Sequence, residues 1–148
     1  MATVEAFNKI LNHQEQLKDQ AQLAYRQALN DFEKSAEKLL LLLQKKEQVE
    51  KEYYYYLSSS GTVTTLATHY AFIEQIKERI HYVQIEVNQK RAVMEKKRDL
   101  LTEAHIEVKK FEKIIEKKHQ KVQEKEKYLE NQTMDEISTR QYFNHENR

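Results

Sequence analysis

Residues Leu66–Leu129 read LATHYAFIEQIKERIHYVQIEVNQKRAVMEKKRDLLTEAHIEVKKFEKIIEKKHQKVQEKEKYL. Alternating steps of three and four from Leu66 land on His69, Ile73, Ile76, Ile80, Val83, Val87 and so on to Leu129, and fourteen of the nineteen positions reached are apolar. The five polar ones are His69, Lys90, Lys97, Lys118 and Lys125. A period of 3.5 residues sustained over nine heptads without a slip predicts a coiled-coil seam. The stripe of an ordinary amphipathic helix would instead drift around its axis. There is no proline in the chain and no glycine after Gly61, so nothing breaks this helix.

The 148-residue chain is too charged and too poor in loop residues to build a thick core: 33% Asp, Glu, Lys and Arg, with one Gly and no Pro, Cys or Trp. The segment from about residue 4 to 57 also reads as helix. Apolar or small residues recur at Phe7, Leu11, Leu17, Ala21, Ala24, Ala28, Phe32, Leu39, Leu42, Val49, Tyr53 and Tyr56. The steps Ala24, Ala28, Phe32 are two fours in succession and predict a stutter that locally unwinds the supercoil. Gln14 and Lys46 fall where the seam prefers an apolar side chain.

The turn is Ser58-Ser59-Ser60-Gly61-Thr62-Val63-Thr64-Thr65, with the lone glycine, and Thr62, Thr64 or Thr65 capping the next helix. The expected fold is therefore all-α, an antiparallel two-helix coiled-coil hairpin in one domain over residues 1–148. Helix one spans about 4–57, the turn 58–65 and helix two about 66–143, with a disordered tail at 144–148. At 1.5 Å per residue helix one would run about 80 Å and helix two about 118 Å. Folding on the turn puts residue 4 beside about residue 119. Helix two then extends unaccompanied through a charged stretch with only Val122, Tyr128, Leu129, Met134, Ile137, Tyr142 and Phe143 to offer apolar contacts. A single helix is marginal in water, so this overhang is expected to firm up on a partner.

Several function classes are disfavoured. A net charge of +1 with both signs interspersed lacks the basic surplus of a phosphate-binding protein. The lysines between Lys109 and Lys127 are interleaved with glutamates and read as a solvated face. The six histidines show no ligand spacing, His69 reads as a tolerated seam residue, and no nucleophile motif or phosphate loop occurs, so no catalytic, metal or cofactor site is expected. The longest aliphatic run, Leu39 to Leu43, is far short of a membrane span, and Met1–Glu5 shows no signal-peptide pattern. A cytoplasmic protein is the expectation. The run Tyr53, Tyr54, Tyr55 and Tyr56 lies near the turn, with Tyr70 and Phe72 across it. Consecutive residues point about 100° apart on a helix, so the four tyrosines cannot all face one seam. They either form a protein-binding patch or lock the hairpin end.

Three stretches resemble the FliJ family, the coiled-coil component of the flagellar type III export apparatus, in the version found in Bacillus-type bacteria. They are Phe7-Asn8-Lys9-Ile10-Leu11 with Lys18-Asp19-Gln20-Ala21; Gly61-Thr62-Val63 with Leu66, Tyr70, Phe72-Ile73 and Ile76; and Leu101-Thr102-Glu103 with Glu107-Val108-Lys109-Lys110-Phe111-Glu112-Lys113 and Met134-Asp135-Glu136-Ile137. The resemblance implies a non-enzymatic stalk that binds the hexameric, FliI-like export ATPase and promotes its assembly and activity. It also implies links to the FlhA-like membrane export gate and to export chaperones. The protein would be monomeric when free and peripherally associated with the inner membrane at the flagellar basal body. By the same resemblance Met134, Asp135, Glu136 and Arg140 are expected at the ATPase, and Leu42, Phe72 and Ile76 at the gate. Lys45, Val49 and Arg79 stand where the family leads one to expect tyrosines and alanine, so Tyr53 and Tyr56 are expected to serve the gate instead. The alternative is a generic coiled-coil spacer or oligomerisation rod without an ATPase partner.

Overall fold

The computed structural model describes residues 2–59 and 61–146. It is all-α among those residues, with α1 at Ala2–Ser58 (57 residues) and the longer α2 at Val63–Glu146 (84 residues). The chain divides into two compact units. One joins Met1–Lys18 to Glu103–Arg148 and the other is Asp19–Thr102.

In the unit that holds the turn, α1 and α2 are antiparallel. Partner numbers fall on α2 as they rise on α1: Phe32 meets Arg91, Lys38 meets Glu86, Lys45 meets Phe72 and Glu52 meets His69. The core of this unit is the cluster Val49, Ile73 and Ile76, with Tyr53 and Ile80 packed against it. These residues lie one helical turn apart on facing seams, so each knob meets the space between two others. In the second unit Phe7 packs on Phe111 at 6.3 Å between ring centres, and Val4, Val108 and Ile115 are buried. Every seam position of α2 from Leu66 to Val122 is buried or half-buried, and the lysines among them are half-buried too. Their aliphatic stems cover the seam while the ammonium groups reach water.

Helix α1 departs from the sequence expectation. Steps of three and four from Val4 reach Phe7, Leu11, Gln14, Lys18, Ala21, Tyr25, Ala28, Phe32, Ser35, Leu39, Leu42, Lys46, Val49 and Tyr53, and all of them are buried or half-buried. The predicted stutter is absent because Tyr25, half-buried, takes the seam position between Ala21 and Ala28. Likewise Leu17 is exposed while the neighbouring Lys18 turns inward. Polar-tipped side chains with apolar bodies had hidden a continuous heptad. Ser35 is buried at 3% exposure, and its hydroxyl donates to the Phe32 carbonyl at 2.9 Å.

Both ends of the turn are closed by local hydrogen bonds. The Gly61 N–H donates to the Tyr56 carbonyl at 3.1 Å, and a Cβ on Gly61 would stand 2.6 Å from that same oxygen. Glycine is needed here for close approach of two backbones. Thr62 caps α2: the Thr65 N–H donates to Thr62 Oγ1 at 3.2 Å and the Leu66 N–H to the Thr62 carbonyl at 3.0 Å. That cap starts the helix at Val63, ahead of the expected Leu66. At the other terminus α2 is helical through Glu146, so residues 144–146, expected to be disordered, continue the helix. The last two residues of that expected tail lie outside the described residues.

Candidate protein-binding surfaces

The first surface is the unaccompanied end of α2. Burial stops at Val122, and every residue from Gln123 to Glu146 is helical and exposed. Among them are Tyr128, Leu129, Met134, Ile137, Tyr142 and Phe143, large apolar side chains that the chain itself does not cover. Of the four residues expected at the ATPase, Glu136 and Arg140 are four apart and share one face. Met134 lies beside Ile137 on another face, and Asp135 points away from both. The set thus rings the helix, which suits insertion between several neighbours better than docking on one flat face. Leu129 and Ile137 are exposed on the same stretch. The sequence signal for them was their position on or beside the stripe beyond the point where α1 runs out.

The second surface lies on the turn-containing unit. The residues expected at the gate are not equivalent there. Ile76 is 2% exposed and belongs to the core, so it holds the surface from beneath. Leu42 is half-buried, and Phe72 is exposed, with Lys45 Nζ 5.2 Å from its ring centre. Phe72 also bounds a shallow groove with Ala67 and Ala71. The tyrosine run is divided. Tyr53 packs on the Val49 cluster and Tyr56 on the His69 ring, centres 5.2 Å apart, so both lock the hairpin. Tyr54 and Tyr55 point outward at 66% and 68% exposure. Tyr53 is half-buried, whereas Tyr56 keeps 37% of its surface open beside Tyr54 and Tyr55.

His69 is half-buried in the seam. Its Nδ1 lies 2.8 Å from the Thr65 carbonyl and its Nε2 3.7 Å from Glu52 Oε2. A carbonyl can only accept, so Nδ1 carries the proton and the ring satisfies its own helix while reaching across to α1. Among the described residues no cluster of three or more His, Cys, Asp or Glu is placed to hold a metal ion, and no helix is long and apolar enough to cross a membrane.

The family model described as Flagellar FliJ protein matches residues 3–147. A curated relative, the flagellar FliJ protein of Bacillus subtilis (strain 168), is 37% identical over 143 residues, covering 97% of each chain. No solved structure matches. A match of this extent takes in the turn, both seams and the solitary end of α2 together, and the chain belongs to the flagellar FliJ family.

Proposed function

We propose that the protein is a non-enzymatic adaptor of the flagellar export apparatus. The solitary end of α2 binds the export ATPase hexamer and promotes its assembly and activity. The turn-containing unit contacts the export gate, and the coiled coil serves export chaperones as well. Family membership supports a role in flagellar export. The observation that carries the ATPase assignment is the contrast within α2: a seam covered to Val122, then a helix with no partner to Glu146.

A lone helix gains little from its own hydrogen bonds in water and is stabilised by laying side chains on another surface. Its apolar side chains are spread around it and alternate with charges, so a ring of subunits could each take a small share of the contact. No single share is then large enough to trap the helix. The gate contact is supported by Phe72, Tyr54 and Tyr55, exposed aromatics of the kind enriched in binding patches.

Mixing the protein with its cognate export ATPase should raise hydrolysis and shift the enzyme toward hexamers, as read by a phosphate-release assay and by mass photometry. The chain lacking residues 123–148 should do neither. Full stimulation by that truncated chain would remove the assignment of the solitary helix. No stimulation by the intact chain would return the protein to a structural spacer.

A further inference from the structure

Residues Tyr53–Ile73 contain no Asp, Glu, Lys or Arg, a run of 21 residues in a chain that is 33% charged. Elsewhere no uncharged run exceeds six residues. The run brackets the turn and so caps the closed end of the turn-containing unit. Its surface is aromatic and aliphatic. Tyr54, Tyr55, Tyr56 and Leu57 are exposed at the end of α1, and Val63 and Tyr70 at the start of α2.

Successive helical residues point about 100° apart, so Tyr54 to Leu57 present exposed side chains around the whole circumference of the last turn. A docked protein covers one side of such an end, whereas a fluid interface closes around all of it. The backbone is provided for as well. The last carbonyls of a helix have no partner in the helix itself. Here Ser58 Oγ lies 3.1 Å from both the Tyr54 and the Tyr55 carbonyls, the Ser59 hydroxyl donates to Tyr55 at 2.8 Å, and the Gly61 N–H donates to Tyr56. On α2 the Thr68 hydroxyl donates to the Thr64 carbonyl at 2.9 Å. In water such bonds gain little, because solvent satisfies the same groups. Where water is scarce they remove the cost of bare carbonyls.

Behind the cap, charges of both signs are paired along each helix: Lys46 with Glu50 at 3.5 Å, Lys51 with Glu47 at 3.4 Å and Lys77 with Glu74 at 3.2 Å. An uncharged cap followed by a balanced collar complements a lipid surface, whose acyl edge is uncharged and whose headgroups carry both signs. Tyrosine suits the boundary between them, with its ring in the apolar layer and its hydroxyl among the headgroups. From the turn to Tyr70 the cap is about 10 Å deep. Interfacial elements bury their apolar faces to about that depth.

We infer that the turn end is a bilayer-contact site, in which Leu57 and Val63 enter the acyl edge and Tyr54, Tyr55 and Tyr70 stand among the headgroups. The contact is shallow and crosses nothing. It needs no protein partner, and it goes beyond the gate reading by adding a lipid anchor beside the protein contact at Phe72.

The test floats the full-length protein with phosphatidylcholine vesicles, with and without added phosphatidylglycerol. The chain has no tryptophan, so Leu57→Trp supplies a single reporter. Its emission should shift to the blue on vesicles and be quenched by brominated acyl chains. Tyr128→Trp, on the solitary helix, should do neither. Tyr54→Ser/Tyr55→Ser/Leu57→Ser should partition at least about tenfold more weakly while its helical dichroism is kept. Phe72→Ser should float as wild type does, and raised salt should change little, because the cap carries no charge. Vesicle binding without gate binding would support the inference and remove only the gate reading. Failure of the wild type to float, or equal flotation of the triple variant, would overturn the inference and leave the gate reading standing. Binding confined to phosphatidylglycerol vesicles and abolished by salt would assign the contact to lysines and overturn it. Cap-dependent self-association without flotation would name a second copy as the occupant, and cap-dependent binding of the gate protein's cytosolic part without flotation would name a protein. Either result overturns the lipid assignment.

Discussion

The Lys118 ammonium stands 5.0 Å from the centre of the Phe7 ring. In the heptad Lys118 looks like a fault, a charge at a seam position. In the folded unit its half-buried stem covers the seam and its charge sits near the ring, so the position joins α1 to α2 where α1 begins. Phe7 also packs on Phe111. Phe7→Ala should therefore loosen α1 locally at a cost of about 2 kcal/mol, below the full core range because Phe7 is half-buried. Hydrogen exchange should speed up in residues 3–18 and 108–122 and stay unchanged around Val49 and Ile73. Uniform loosening of both units would contradict the local role.

Gly61 and Thr62 close the turn by different means, and their variants should separate. Gly61→Ala forces the new Cβ to within 2.6 Å of the Tyr56 carbonyl oxygen, so the turn must rearrange. Thr62→Ala removes only a cap, worth about 1 kcal/mol. Thermal melts should show the glycine variant as the less stable of the two.

Ile76 and Phe72 make a second contrast. Ile76→Ala empties a core position and should cost about 2–5 kcal/mol. Phe72→Ser, at 38% exposure with Lys45 over its ring, should cost only about 1 kcal/mol. Only the phenylalanine variant should weaken gate binding in samples shown to be folded by circular dichroism. If the Ile76 variant melts as wild type does, the core position assigned to it is wrong.

Because α2 is exposed throughout from Gln123, removing residues 123–148 should leave the unfolding midpoint of the paired helices almost unchanged. The far-ultraviolet dichroism should lose the share due to the solitary helix. A large drop in midpoint would mean that this end is covered in solution.

Lys46 occupies a seam position with its side chain 30% exposed and an ion pair to Glu50 at 3.5 Å. Lys46→Leu should raise stability by about 1 kcal/mol, since a leucine there adds apolar burial that outweighs an i,i+4 pair worth a few tenths. Denaturant titration would register it as a higher midpoint with an unchanged slope.

These residues also mark how far the sequence could be read. The seam of α2 was legible because Ile73, Val87, Val108 and Ile115 recur at a fixed period and carry no polar atoms. The turn was legible because one glycine and a run of hydroxyl residues interrupt an otherwise unbroken pattern. The seam of α1 was only partly legible. Tyr25, Lys18 and Ser35 occupy it with polar atoms that find water or a carbonyl, and a hydropathy pattern scores such side chains as outward. The tyrosine run was legible in part: Tyr53 and Tyr56 fall on the recurring positions of α1, and packing half-buries Tyr53 but leaves Tyr56 at 37% exposure against His69.

The antiparallel helical pair, and a second helix that outlasts its partner, were written in the residues alone. Both follow from local periodicity and from the lengths on either side of one turn. Packing between the helices alone settled where burial ends, at Val122, and that Lys18, Tyr25 and Ser35 take seam positions of α1. Packing also puts Lys45 of α1 and Arg79 of α2 on one groove with the exposed Leu41. Those outcomes depend on which residue of one helix lies opposite which residue of the other. That register comes from packing across the seam, and neither helix contains it alone.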